Sequence, residues 1–340
     1  MSNTLHNPTR GVIIGRFMPP HLGHRYLVGF AREFVEKLTV LVCTLKDEPI
    51  PGHLRYEWMQ AMFCDVEIIH VTEEIPEANR QNPHSYRIWA DFIRKIIPDP
   101  IDFVFASEQY GFNLAAELKA EFVPVDPGRN NFPVSATEIR KNPFTNWAYL
   151  PNIVKPYFAR RVVCISQQIG VPGVDSHPAP NLAKQYNTVC VTDALERWMT
   201  LREKPESADE VRLVMRSQAA AAAALLPLCN RVVFAEADCV TLLARLKLEG
   251  VPQPDFELQP ASTTPGSSAK TEARPGCAGP ADLYILHYDS TQSEEFHRYL
   301  DTLANILEER GLAAVATHEH DPPNDPQVVA AIEKLFVYEE

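Results

Sequence analysis

The stretch that decides the fold lies at residues 11 to 24 and reads Gly11-Val12-Ile13-Ile14-Gly15-Arg16-Phe17-Met18-Pro19-Pro20-His21-Leu22-Gly23-His24. Its first four residues form an apolar run that is typical of a short buried strand. The apolar residues after it recur at helical spacing, and they are Leu27, Phe30, Ala31, Phe34 and Leu38. The residues between the two patterns therefore lie on a turn that leads from a strand into a helix.

The same alternation continues along the first half of the chain. Further strands are predicted over residues 39–42, 66–71, 101–106 and 122–125, with a helix over 86–97 that ends before Pro98. Strands that alternate with helices predict an α/β fold with a doubly wound parallel sheet. Such a sheet binds ligands beyond the carboxyl ends of its strands.

A second α/β domain is predicted after the first, which gives the boundaries 1–158 and 159–340. Its strands are expected over 161–166, 231–235 and 282–286, and its helices over 218–226 and 293–310. Residues 251–280 contain six prolines together with Ser, Thr and Gly, and this composition predicts a flexible segment.

Charge and composition exclude several classes of protein. The 340 residues carry a net charge of −12, and residues 1–160 hold 17 Lys and Arg against 18 Asp and Glu, whereas residues 161–340 hold 15 against 26. The chain contains no basic cluster, so we expect no nucleic-acid partner. No apolar run approaches the ~18 residues of a membrane span. Seven cysteines without a C-x-x-C pair, and an N-terminus unlike a signal peptide, predict a cytoplasmic protein.

The residues of the turn are suited to binding phosphate. His21 and His24 stand three residues apart in the first helical turn, and Gly23 between them allows a ligand to approach the backbone. The helix N-terminus adds free N–H groups and a partial positive charge. Two alternatives are a metal site, for which further ligands are not visible nearby, and ordinary exposed histidines. A dinucleotide fingerprint G-x-G-x-x-G is absent from this stretch.

The turn resembles the (H/T)xGH signature of the nucleotidyltransferase superfamily. A second stretch, Val134-Ser135-Ala136-Thr137-Glu138-Ile139-Arg140, resembles the superfamily's ISxTxIR motif. The two motifs follow one another in the expected order within one predicted domain. By this resemblance Ser135, Thr137 and Arg140 would hold the phosphates of ATP. Ser135 with Glu138 is also a helix cap, and the two roles are compatible because caps and anion sites share a geometry.

Several further stretches resemble the NadR-like nicotinamide-nucleotide adenylyltransferases, and they begin at Pro83, Val125, Arg140 and Val154. The resemblance covers residues 11–160. It implies that Trp89 stacks on the nicotinamide ring, although a core Trp on an amphipathic helix is the alternative. It also implies that Arg55 contacts phosphate, with a surface salt bridge as the alternative.

The reaction that the resemblance implies is adenylyl transfer from ATP to nicotinamide mononucleotide, which gives NAD and pyrophosphate and places the protein in NAD biosynthesis or salvage. ATP and nicotinamide mononucleotide would be the partners, and Mg²⁺ would accompany ATP. His21, His24 and Arg140 would be catalytic, without a metal ligand from the protein. Gly15, Arg16, Phe17 and Gly23 would line the ATP site, with Arg16 serving either the reaction or the fold.

The second half departs from these relatives, which carry a ribosylnicotinamide kinase domain. A P-loop G-x-x-x-x-G-K-[ST] is expected after the strand at 161–166, but residues 167–177 read QQIGVPGVDSH. We therefore expect a P-loop-kinase-like α/β domain without its P-loop and without kinase activity. The stretch Gly266–Thr271 has no preceding strand and is interpreted as a chance match. Three roles stay open for this domain: forming a homo-oligomer, regulation, or a scaffold left over from an active ancestor.

Two other functions compete with NAD synthesis. One is a nucleotidyltransferase that acts on a different phosphomonoester, such as phosphopantetheine. The other is a protein that senses NAD or ATP without turnover.

Overall fold

The structure is a computed structural model that describes residues 8–75, 84–166, 178–252, 280–288, 292–318 and 325–337. The chain divides into two compact units between Val154 and Lys155. The predicted boundary after residue 158 lies four residues beyond this division. Residues 155–158 form the short helix α6 (Lys155–Phe158), which belongs to the C-terminal unit because it contacts the turn at Leu226–Leu228.

The N-terminal unit is built on five parallel strands in the order β3-β2-β1-β4-β5. These strands are β1 (Arg10–Gly15), β2 (Lys37–Cys43), β3 (Glu67–Val71), β4 (Phe103–Ala106) and β5 (Glu121–Pro124). Its helices are α1 (Leu22–Phe34), α2 (Gly52–Met62), α3 (His84–Ile96), α4 (Tyr110–Leu118) and α5 (Ala136–Lys141). The predicted doubly wound parallel sheet is confirmed for this unit.

Strand β1 is central because Val12 and Ile13 are fully buried between the helical layers. The strand order reverses between β1 and β4, so the carboxyl end of β1 lies at the switch point where such sheets bind ligands. Helix α1 ends at Phe34. The prediction that Leu38 continues its apolar face was wrong, since Leu38 lies in β2, where it is buried.

The C-terminal unit has a second all-parallel sheet in the order β10-β9-β6-β8-β7. Its strands are β6 (Arg160–Ile165), β7 (Cys190–Val191), β8 (Val232–Ala235), β9 (Leu283–Tyr288) and β10 (Ala314–His318). Its helices after α6 are α7 (Pro178–Gln185), α8 (Ala194–Met199), α9 (Ala208–Leu225), α10 (Cys239–Leu248), α11 (Glu294–Glu309) and α12 (Pro326–Lys334). The predicted α/β class is thus confirmed for both units.

Some sequence predictions in this unit differ from the structure or lie outside it. The helix predicted over 218–226 is the end of α9, which begins ten residues earlier, where the Ser207 hydroxyl accepts a bond from the Glu210 N–H. Strands β7 and β10 were missed, because β7 has only two residues and β10 mixes Ala and Thr with few large apolar side chains. The altered loop at 167–177 and nearly all of segment 251–280 lie outside the described residues.

Within the described ranges, no helix combines the length and apolarity that crossing a membrane would require.

Candidate active site

A cavity of about 560 Å³ lies at the carboxyl end of β1 in the N-terminal unit. Residues of both sequence motifs line it, together with residues from the ends of β2, β4 and β5. Ten of the eleven predicted site residues are among its walls: Gly15, Arg16, Phe17, His21, Gly23, His24, Trp89, Ser135, Thr137 and Arg140. The fold therefore brings together side chains that lie more than 100 residues apart in the sequence.

His21 and His24 cap helix α1 reciprocally. His21 is the N-cap residue, and its Nδ1 accepts a hydrogen bond from the Gly23 N–H at 3.1 Å. The Nδ1 atom of His24 accepts one from the His21 N–H at 3.3 Å. An Nδ1 that accepts a bond carries no proton, so in each neutral ring the proton resides on Nε2. The helix cap thus leaves Nε2–H as the donor of each imidazole.

Both rings are held in the neutral form. Burial lowers the pKa of His21 to about 4, and the positive charge of Arg129 adds to this effect. Burial also lowers the pKa of His24 well below its ordinary value, with further contributions from His21 and Arg129. The rings stack with their centroids 3.7 Å apart, and repulsion between two imidazolium ions would disfavour this arrangement.

Gly23 is required by the conformation of the His21 ring. A Cβ atom at residue 23 would lie 3.0 Å from both Cε1 and Nδ1 of that ring. Any larger residue would therefore require the imidazole to shift by a few tenths of an ångström from its capping position. The glycine therefore serves the histidine as well as the approach of a ligand.

The second motif is tied directly to the first. Helix α5 begins at Ser135, whose hydroxyl accepts a hydrogen bond from the Glu138 N–H at 3.1 Å, as predicted for a cap. Arg140 donates to the Met18 carbonyl at 2.6 Å and to the Thr137 hydroxyl at 3.2 Å. These bonds fix a guanidinium on the wall of the cavity that the histidines also line.

Trp89 lies on α3 and is half-buried. Its ring packs edge-on against Phe92 and borders the core below α3, yet it also lines the cavity. Stacking on a ligand and packing in the core are therefore compatible for Trp89, since one part of the indole packs against the core and another lines the cavity.

Arg55 is the one predicted site residue that does not line the cavity. Its side chain is fully buried and donates to the carbonyls of Ile50 at 3.1 Å, Arg16 at 2.5 Å and Cys43 at 3.2 Å. It also forms an ion pair with the buried carboxylate of Glu48. A direct contact with a substrate phosphate is not supported by this placement, because the guanidinium is enclosed. The alternative of a surface salt bridge is corrected to a buried one.

Sequence reasoning missed several residues of the cavity wall. Tyr110 donates from its hydroxyl to the Ile14 carbonyl at 2.6 Å, and burial is the main reason that its pKa is raised above the ordinary range. Arg129 pairs with Glu108 at 3.3 Å on the same wall, and Phe132 packs beside Gly23. In the sequence, the stretch containing Arg129 is marked only by its family resemblance, because no local pattern predicts that it folds back over α1.

A second cavity of about 480 Å³ lies at the carboxyl ends of β6 and β8 in the C-terminal unit. Its acidic side chains are Asp193, Glu196, Glu236, Glu249 and Glu295. Arg245 also lines it, and its guanidinium lies 2.8 Å from Glu196, 3.5 Å from Asp193 and 3.3 Å from Glu249. Asp238, at the end of the same strand region, caps α10 and accepts a bond from the Tyr284 hydroxyl at 2.5 Å, so its role is structural.

Comparison with known proteins agrees with this architecture. No family model matches the chain. The chain is 30% identical over 198 residues to the trifunctional NAD biosynthesis/regulator protein NadR of Escherichia coli (strain K12), which covers 53% of this chain and 47% of that protein. It is 28% identical over 195 residues to the protein of the same name from Salmonella typhimurium (strain LT2), with 52% and 47% covered. The chain thus spans about half the length of the curated relatives it matches.

Two solved structures share the fold over nearly the whole chain. A crystal structure of NadR in complex with NAD and AMP-PNP superposes with a TM-score of 0.71 at 18% identity, and 98% of each chain is covered. A structure of NadR in complex with NR gives the same TM-score at 17% identity, also over 98% of each chain. The resemblance to NadR-like proteins, which the further stretches of the sequence predicted, is confirmed, and the two-domain α/β fold with it.

Proposed function

We propose that the N-terminal unit is a nicotinamide-nucleotide adenylyltransferase. The chain is similar to NadR in sequence over about half its length, and in fold over nearly all of it. The observation that carries the proposal is the reciprocal histidine cap. It presents two neutral imidazoles at a helix N-terminus on the wall of a cavity, and among the described residues their Nε2–H groups have no hydrogen-bond partner. This arrangement is suited to the phosphates of a nucleotide.

In the proposed reaction, an oxygen of the nicotinamide mononucleotide phosphate attacks the α-phosphorus of ATP. A new P–O bond forms, the bond between the α-phosphorus and the bridging oxygen to the β-phosphorus breaks, and pyrophosphate leaves with that electron pair. The attacking phosphate is already an anion at neutral pH, so no general base is needed. Catalysis then consists of positioning and of stabilising negative charge.

The residues of the cavity have distinct roles in this proposal. His21 and His24 donate from Nε2 to phosphate oxygens, and because both pKa values are lowered, they act as neutral hydrogen-bond donors at neutral pH. Arg140, fixed by Met18 and Thr137, supplies positive charge to the triphosphate. Trp89 offers a ring face to the nicotinamide.

Mg²⁺ would enter with ATP. Among the described residues no three His, Cys, Asp or Glu side chains are grouped closely enough to hold a metal ion. Mg²⁺ is usually held by substrate phosphates and water together with one or two carboxylates. When bound, the ion would neutralise charge on the phosphates.

We further propose that the C-terminal unit does not phosphorylate nicotinamide riboside. Its sequence lacks the Gly-Lys-Ser/Thr of a P-loop at residues 167–177. Its cavity is lined by five carboxylates, and three of them already surround Arg245. An excess of negative charge disfavours the triphosphate that a kinase must bind.

The experiment is a coupled assay on the full chain. One tube contains ATP, Mg²⁺ and nicotinamide mononucleotide, a second replaces the mononucleotide with nicotinamide riboside, and NAD is detected with alcohol dehydrogenase. We expect NAD in the first tube only. NAD in both would refute the loss of kinase activity. NAD in neither, with normal folding, would favour another phosphomonoester acceptor or a sensor, which binding measurements with NAD and ATP would distinguish.

Variants connect the assay to the site. His24→Ala is expected to lose most turnover, since it removes one Nε2 donor and one half of the cap. His53→Ala is the matched control, because His53 is an exposed histidine on α2 that does not line the cavity. Equal activity of the two variants would contradict the assignment of the histidine pair.

A further inference from the structure

The outward face of helix α1 carries an apolar groove that the N-terminal unit leaves open. The groove has a volume of about 720 Å³, and its apolar walls are Tyr26, Phe30, Phe34 and Phe132. We call it the α1 groove. It lies on the side of the helix opposite Val28 and Ala31, which are fully buried against the sheet.

The aromatic side chains of the α1 groove form a continuous ridge. Tyr26, Phe30 and Phe34 follow each other at intervals of four residues, with ring centroids 6.5 Å and 5.9 Å apart. Phe132 extends the ridge, 5.9 Å from the ring of Tyr26. Tyr26 is 37% exposed and Phe34 48% exposed. Phe30 and Phe34 also pack against Phe105 of the sheet, so the ridge is exposed on one side only. An exposed aromatic surface of this kind is typical of protein interfaces rather than of a solvated helix face.

Gly29 lies in the middle of this face, and the fold of the unit does not explain it. A Cβ atom added at residue 29 would meet nothing within 4 Å, so an alanine would fit there. Glycine inside a helix costs roughly 0.5–1 kcal/mol relative to alanine. A missing side chain at an exposed position does, however, permit another helix to approach the backbone of α1 closely.

The charges on this face are arranged symmetrically about Gly29. Arg25 precedes it by four residues and Glu33 follows it by four, and both line the groove. In the part of the chain that the structure describes, the Arg25 side chain has no hydrogen-bond or ion-pair partner. The Glu33 carboxylate contacts only its neighbour in the chain, Arg32, at 3.4 Å, when the same described residues are considered.

We propose that the α1 groove binds a second copy of this chain through the same face. If two α1 helices pack antiparallel about a two-fold axis at Gly29, then Arg25 of each copy faces Glu33 of the other. The face is thus complementary to itself in charge, as an isologous interface requires. The aromatic ridges would pack beside the axis, where the absence of a side chain at Gly29 allows the helices to come close.

The test measures the oligomeric state of the full chain by sedimentation velocity over about 1–100 µM, at low salt, where charge pairs are least screened. The wild-type chain is expected to be a dimer in the upper part of this range. Arg25→Glu and Glu33→Arg each place like charges together twice, so each is expected to raise the dissociation constant at least about tenfold. The double variant restores both pairs and is expected to return to within about threefold of wild type.

Two further variants separate the interface from folding and from net charge. Gly29→Leu adds a side chain into open space, so the melting temperature should hold while the dimer dissociates. Lys95→Glu makes the same change of net charge as Arg25→Glu at an exposed position on α3, and it should leave the dimer unaffected. A wild-type chain that is monomeric throughout the range would overturn the proposal. A dimer that is insensitive to Gly29→Leu, or charge reversals that the double variant does not rescue, would also overturn it.

Discussion

The buried ion pair between Arg55 and Glu48 permits a quantitative prediction. The Arg55 side chain is fully buried and that of Glu48 is 6% exposed, so neither charge reaches water. Arg55→Met would remove the nearer of the two cations that face the buried Glu48 carboxylate, leaving Arg16 Nε at 3.7 Å, and would remove the donor from three backbone carbonyls. Breaking one partner of a buried pair costs about 3–5 kcal/mol. We expect Arg55→Met to destabilise the N-terminal unit by that amount.

The assay is urea unfolding of the full chain, with hydrogen exchange of peptides from α2 to report on the N-terminal unit separately. At a slope of about 2.5 kcal/mol per molar urea, the midpoint should fall by roughly 1.5 M. The double variant Arg55→Met/Glu48→Leu removes both charges and should recover a large part of the loss. Arg32→Met is the control, since its pair with Asp65 is solvent-exposed and should contribute under about 1 kcal/mol.

Two results would refute this reasoning. One is a loss for Arg55→Met no larger than that of the Arg32→Met control. The other is a double variant whose loss equals or exceeds the summed losses of Arg55→Met and of Glu48→Leu, each measured as a single variant. The unpaired charge would then not be the source of the cost.

Three further predictions follow from local contacts. Unfolded His21 gains a proton near pH 6.5, but folded His21 only near pH 4, so the unfolded state binds more protons between these values and the His21 contribution to stability should fall by about 3 kcal/mol as the pH drops from 6.5 to 4. Urea titrations across this range test it: His21→Asn, which keeps a capping residue, should make the profile shallower by that contribution, while the loss due to His24 remains. Gly23→Ala should displace the His21 ring and lower kcat about ten- to hundredfold with an unchanged circular dichroism spectrum; wild-type kcat would contradict the role given to the capped ring. Ser207→Ala removes the cap of α9 and should cost about 1 kcal/mol in the C-terminal unit, measured by hydrogen exchange of α9 peptides; no change would indicate that the Ser207–Glu210 bond is not stabilising.

The sequence by itself determined the features that depend on neighbours along the chain. The apolar run before Gly15 and the helical spacing after His21 predicted the strand, the turn and the helix, because these patterns reflect burial on one face of each element. The histidine pair was also predictable, since both of its capping bonds join residues within three positions of each other. Ser135 was predictable for the same reason.

Only the tertiary structure decided the features that depend on contacts between distant segments. Arg140 meets the carbonyl of Met18 across 122 residues, and Phe132 returns to the first turn of α1. Arg55 shows the limit most clearly. An arginine on a helix is typical of a surface residue, yet three carbonyls and Glu48 enclose this one. Burial of a charge is decided by partners that the fold assembles, and no local pattern of residues records those partners.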